Sequence, residues 1–144
     1  MQQFKIDNFL EQRPGEAFPK FESLTATQAG NVWQSWARVA SQPSDSSQLI
    51  PWIEKRATPL LGVNIEGDEI PLSELFSMLG VEPANNLYVH WDGPLEIDRF
   101  TKADLEDRFY DIWYPSADDI EIFDDTFEWM VFVRHFGGVQ LWRP

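Results

Sequence analysis

"WYPSADDIEIFDDTFEWMVFVRHFGG", residues 113–138, is the stretch that decides the fold. Two aspartate pairs, Asp118-Asp119 and Asp124-Asp125, bracket the apolar run Ile120–Phe123. A second apolar run follows and leads through Gly137-Gly138 into "VQLWR". Short β-branched and aromatic runs between turn formers read as strands, so the segment predicts one strand followed by a hairpin. A two-residue Gly-Gly loop supplies the positive φ such turns demand, placing Gly138 at positive φ and pairing Phe136 with Val139. One face then carries Trp129, Val131, Val133, His135, Gln140 and Trp142. The other carries Met130, Phe132, Arg134, Phe136, Val139, Leu141 and Arg143. Both faces are apolar for most of their length, whereas a half-wet antiparallel strand would alternate. Either helices cover both faces, or a partner or second copy covers one; the expectation is helices on one face and the N-terminal segments on the other.

Upstream, "NLYVHW" is a strand stopped by the turn Asp92-Gly93-Pro94. In "FTKADLEDRFYDIWYP", Thr101 caps a helix with Asp104 at the third position, Leu105, Phe109 and Ile112 form its stripe, and Pro115 ends it. Residues 1–85 read as mainly helical. In "TATQAGNVWQSWARVA", Thr25 and Gln28 make a capping box, and Ala29, Val32, Trp33, Trp36 and Ala40 recur at helical spacing. "FKIDNFLEQ" is a shorter helix with Phe4, Phe9 and Leu10 turned to the core. "SQPSDSSQ" is a polar linker, after which Pro51 starts a short helix. A further helix buries Leu75, Phe76 and Leu79 and ends at Gly80. The expectation is one α+β domain over 1–144, its antiparallel sheet having about four strands with the C-terminal hairpin central.

The 144 residues are 43% hydrophobic and 15% aromatic, enough for a core of one domain. No apolar run approaches the roughly 20 residues that span a bilayer, and the first residues lack the basic-then-apolar pattern of a secretory signal. Cysteine is absent, which removes disulfides, thiol nucleophiles and thiolate metal sites. Together these features point to the cytoplasm. The formal net charge is -13. Residues 93–128 hold twelve acids against three bases and so carry nine of those thirteen excess charges. Such a field repels phosphate backbones and anionic membranes and attracts basic proteins.

Constellations for chemistry are few. The only histidines are His90 and His135, with no Gly-x-Ser-x-Gly elbow and no phosphate-cradling glycine loop before a helix. The aspartate pairs offer hard oxygen ligands but not the alternating acids, turn glycine and closing glutamate of a Ca²⁺ loop. Two histidines fall short of a zinc set. No catalytic residue, metal or cofactor is expected. Adjacent aspartates at a strand's entry and exit are turn and cap residues first.

Residues 113–139 also resemble the ending of small, mostly bacterial proteins that share a Tyr-Pro, an aspartate pair before a strand, a Trp opening the next strand and a His near its end. Here these are Tyr114-Pro115, Asp118-Asp119, Trp129 and His135. Some of those proteins look like immunity partners of polymorphic toxins. The resemblance covers the C-terminal half and does not reach into residues 1–85. It implies an immunity-type inhibitor of a basic, nuclease-like toxin. With the acidity of 93–128 it makes Asp118, Asp119, Glu121, Asp124, Asp125, Arg134 and His135 the candidate contacts to a basic partner, a second copy of the chain being the other partner considered. Two alternatives stand beside it: an enzyme with a cleft built from His90, Asp92, Asp118 and His135, and an adaptor domain whose acid only solubilises.

Overall fold

A computed structural model describes all residues 1–144. The helices are α1 (Gln3–Gln12), α2 (Ala26–Ala40), α3 (Ser46–Glu54), α4 (Leu72–Leu79) and α5 (Lys102–Ile112). The strands are β1 (Phe21–Ser23), β2 (Thr58–Pro59), β3 (Asn86–His90), β4 (Ile97–Thr101), β5 (Ile120–Phe123), β6 (Met130–Val133) and β7 (Val139–Trp142). All seven strands join one antiparallel sheet in the order β1-β4-β3-β5-β6-β7-β2.

The class is α+β, as expected, but seven strands replace the expected four or so, and β5 rather than the hairpin is central. The three strands not foreseen have physical reasons to be silent. In β4, the inward Asp98 is a buried acid, so the alternation that marks a strand is broken. Strands β1 and β2 are three and two residues long and pair only at the two edges.

Every strand of the middle carries apolar residues on both faces because helices lie on both. On one side Leu87, Val89, Ile122, Val131, Val133 and Val139 pack with Leu75 and Phe76 of α4 and Leu105, Phe109 and Ile112 of α5. On the other, Phe123, Met130, Phe132 and Trp142 pack with Trp33 and Trp36 of α2 and Leu49 and Ile53 of α3. Trp36 stands edge-on to Phe123 at 5.5 Å between ring centres, and Tyr88 stacks on Phe123 at 5.5 Å. The capping box of Thr25 and Gln28, the Thr101 cap and the left-handed Gly80 are all formed.

Four local expectations need correction. In α1, Phe4 and Leu10 are half exposed, and Lys5 is the residue that turns inward beside Phe9. Its ammonium sits on Asp118 and on the Ile112 carbonyl at 2.7 Å, so an ion pair holds this helix where an apolar stripe was expected. Helix α3 starts at Ser46 with Asp45 accepting from the Ser47 N–H, and Pro51 lies inside it, so the polar stretch is half linker and half first turn.

The hairpin pairs Val133 with Val139, not Phe136 with Val139. Its loop is His135-Phe136-Gly137, closed by the Arg134 N–H on the Gly138 carbonyl at 2.9 Å and the Gly137 N–H on the Arg134 carbonyl at 2.8 Å. Gly137, at φ 87°, therefore holds the positive angle assigned to Gly138. The cause is tertiary: Asn64 donates to the Phe136 carbonyl and the Ile65 N–H to the Gly137 carbonyl, so loop 60–66 clamps the longer turn. The shift moves Gln140 and Trp142 to the face of Phe132.

Candidate functional site

Where α3 runs out beside the ends of β3, β5 and β6, the sheet floor is left open and a cleft of about 640 Å³ remains. Its walls include Ser46, Pro51 and Glu54 of α3, Asp92 and Pro94 of the β3–β4 turn, Asp119 before β5, and Phe136 of the hairpin tip. Its floor is His90, Glu121 and Arg134, all under a tenth exposed.

Strand geometry puts the floor residues together. His90 and Glu121 are directly opposed across β3 and β5, and Arg134 continues the same face of β6 beyond Phe132. The His90 Nδ1 lies 2.6 Å from Glu121 Oε2, and its Nε2 lies 2.9 Å from the Gly93 carbonyl oxygen. Arg134 donates from Nη1 to Glu121 Oε1 at 2.8 Å and from Nε to Glu54 Oε1 at 2.7 Å. Burial works against the Arg134 charge, but Glu54 and Glu121 more than offset it and hold the guanidinium above its ordinary range. A buried carboxylate in a strand is tolerable only when its oxygens are filled in this way. The arrangement is a fixed, charge-paired floor.

Because a carbonyl only accepts, His90 Nε2 carries its hydrogen and has no lone pair to offer a substrate. Of the groups in the enzyme alternative, His90 and Asp92 line the cleft, His135 does not but bonds to Asp119, which does, and Asp118 is on Lys5 on the opposite side of the sheet. No cluster of three or more His, Asp or Glu is arranged to hold a metal ion.

The partner-contact candidates divide sharply. Asp118 caps the chain after α5 by accepting from the Tyr114 N–H at 2.7 Å while it pairs with Lys5. Asp124 is fully buried, accepting from the Thr126 and Ala84 N–H groups and the Trp129 indole. Glu121 and Arg134 are the cleft floor. Asp119, Asp125 and His135 are exposed. Asp119 Oδ1 takes the His135 N–H at 2.7 Å and its ring Nδ1 at 2.9 Å. Partial burial works to raise the Asp119 carboxyl, but the His135 bonds and the nearby Arg134 and His135 charges outweigh it and hold it below the usual carboxylate range. The aspartate pairs thus shape the entry and exit of β5, and only one member of each faces water.

Sequence reading did not connect Glu54 with Arg134, eighty residues away, nor pair His90 with Glu121. The only available signal was a glutamate at an inward position of an apolar strand. Comparison with family models, with curated proteins and with solved structures returns no match.

Proposed function

We propose that the chain is an acidic protein-binding module, an immunity-type inhibitor of a basic, nuclease-like bacterial toxin, working in the cytoplasm. The carrying observation is how the charges are distributed. Lys5, Arg13, Arg99, Lys102, Arg108 and Arg134 all sit on carboxylates of the same chain. Glu66, Asp68, Glu69, Glu74, Glu82, Asp92, Glu96, Asp125 and Glu128 are exposed with no basic partner. The surface therefore keeps a negative excess that its own bases do not cancel, and complementary charge speeds association towards about 10⁸–10⁹ M⁻¹s⁻¹ at low salt. No helix is long and apolar enough to cross a membrane. The enzyme alternative is weakened by the engaged Nε2 of His90 and by the distance in the fold between the cleft and Asp118.

The test is to co-express the chain with the basic polypeptide encoded next to it and to mix the purified pair in a stopped-flow instrument across a salt series. Growth rescue, a one-to-one complex and an association rate that falls steeply as exposed charges are screened over about 8 Å are expected. A toxic neighbour that neither binds nor is neutralised overturns the reading. A complex with salt-independent association removes steering and leaves the acid a solubilising role.

A further inference from the structure

We infer that the cleft over His90, Glu121 and Arg134 receives one arginine side chain of the basic partner, together with a main-chain carbonyl beside it. This rests on the reading of the chain as a binder of a basic protein and says where and how the partner is gripped.

Charge comes first. Glu54, Asp92, Asp119 and Glu121 face one guanidinium and one imidazole, so the cleft is negative in either protonation state of His90. An anion is disfavoured there, and a cation is drawn in. The unspent atoms come next. Both Glu121 oxygens are used, but Glu54 Oε2, Asp119 Oδ2 and the whole Asp92 carboxylate have no partner within the chain.

The second, independent sign of a ligand is Arg134. It is 8% exposed, and its Nη2 has no hydrogen-bond partner, although Nε and Nη1 each have one. That nitrogen is not sealed in the interior, and Arg134 lines the cleft. An N–H that faces the cleft is free to take an acceptor from a ligand, and a neutral carbonyl supplies one without adding to the negative charge. A basic side chain and the backbone that carries it supply both needs at once.

The walls favour arginine over lysine. Phe136, 56% exposed, lines the cleft together with Pro51 and Pro94. A planar guanidinium stacks on an aromatic face, sheds water more readily than an ammonium and forks onto carboxylates. The floor is set by strand pairing and by the ion pairs of Arg134 with Glu54 and Glu121, so little order remains to be lost there on binding.

The experiment uses the isotope-labelled full chain and three capped tripeptides, Gly-Arg-Gly, Gly-citrulline-Gly and Gly-Glu-Gly, in NMR titrations. Citrulline keeps the shape of arginine without its charge. The arginine peptide should move the amide signals of Asp92, Asp119, His135 and Phe136 saturably, and the other two should not. The double variant Asp92→Asn/Asp119→Asn should weaken that binding by about tenfold or more, and Glu54→Gln provides a second variant should the first melt early. Equal binding of citrulline, or shifts scattered over all exposed carboxylates without saturation, overturns the assignment. If the toxin complex forms and the double variant leaves its Kd unchanged, the cleft assignment fails while the inhibitor reading stands. If the arginine peptide binds here but no toxic neighbour is neutralised, the inhibitor reading fails and the preference of the cleft survives.

Discussion

Glu121 lies directly across from His90 in the β3–β5 ladder, and the 2.6 Å contact between them is one half of a bridge that Arg134 completes. Replacing Glu121 with Ala leaves a guanidinium and an imidazole buried without their shared acceptor. A loss of about 3–5 kcal/mol is expected in urea titration, the range for breaking a buried pair from one side. Glu121→Gln, which keeps one acceptor oxygen, should cost clearly less. Equal losses would mean that the charge, removed in both variants, sets the cost and that the oxygen and volume kept by Gln contribute nothing.

Trp129 is 4% exposed, packs edge-on against Phe76 at 5.7 Å and donates its indole N–H to Asp124 at 3.2 Å. Trp129→Ala should destabilise by about 3–5 kcal/mol, mostly through the cavity left between α4 and the sheet. A change under about 1 kcal/mol in denaturant would contradict this packing.

The two glycines of the hairpin should respond differently. A Cβ on Gly137 would meet Asn64 and come within 2.6 Å of the Glu66 backbone nitrogen, on a residue already at φ 87°. A Cβ on Gly138 would first meet the ring of Phe136, an exposed side chain rather than backbone. Gly137→Ala is therefore expected to cost at least about 1 kcal/mol, and Gly138→Ala less. Thermal melts giving the reverse order would restore a two-residue loop.

Asp119 supplies the pH prediction. Its carboxyl is held low in the folded chain, so the unfolded chain binds the proton first as pH falls. Its contribution is present in full above the unfolded value of about 3.9 and is lost as pH drops through the folded one. The Asp119 side chain is 51% exposed, so the contribution is small, at most about 1 kcal/mol. Wild type should be slightly more stable than Asp119→Asn at neutral pH and indistinguishable from it in strong acid. A gap that widens on acidification would reverse the sign.

Much of the fold was legible because several signals are local. The Thr25–Gln28 box, the Gly80 stop and the helix stripe of Leu105, Phe109 and Ile112 need only neighbours a few residues apart, and each formed. The absence of a wet face on 129–142 correctly implied cover on both sides. What sequence hid was whatever depended on distant partners. Nothing local marks Lys5 as a buried residue, since its partner Asp118 is distant in the chain, and the same holds for Asp98 with Ser23. The hairpin slip has the same origin, since the clamp on the longer turn comes from Asn64. The cleft was half visible: His90 and Asp92 were named for it and do line it, whereas Asp118 sits on Lys5 and the Glu54–Arg134–Glu121 bridge went unseen.

The two shortest strands stand at the two borders of the sheet, and one of them includes Pro59, which has no N–H to offer a neighbour. A ladder this rich in Val, Ile and Phe would otherwise be a template on which further chains could stack. Ending it in three residues on one side and two on the other leaves too few free rungs for such growth. Static light scattering at high protein concentration should accordingly show no climb in mass with time, so that the molecule can carry its greasy sheet without polymerising.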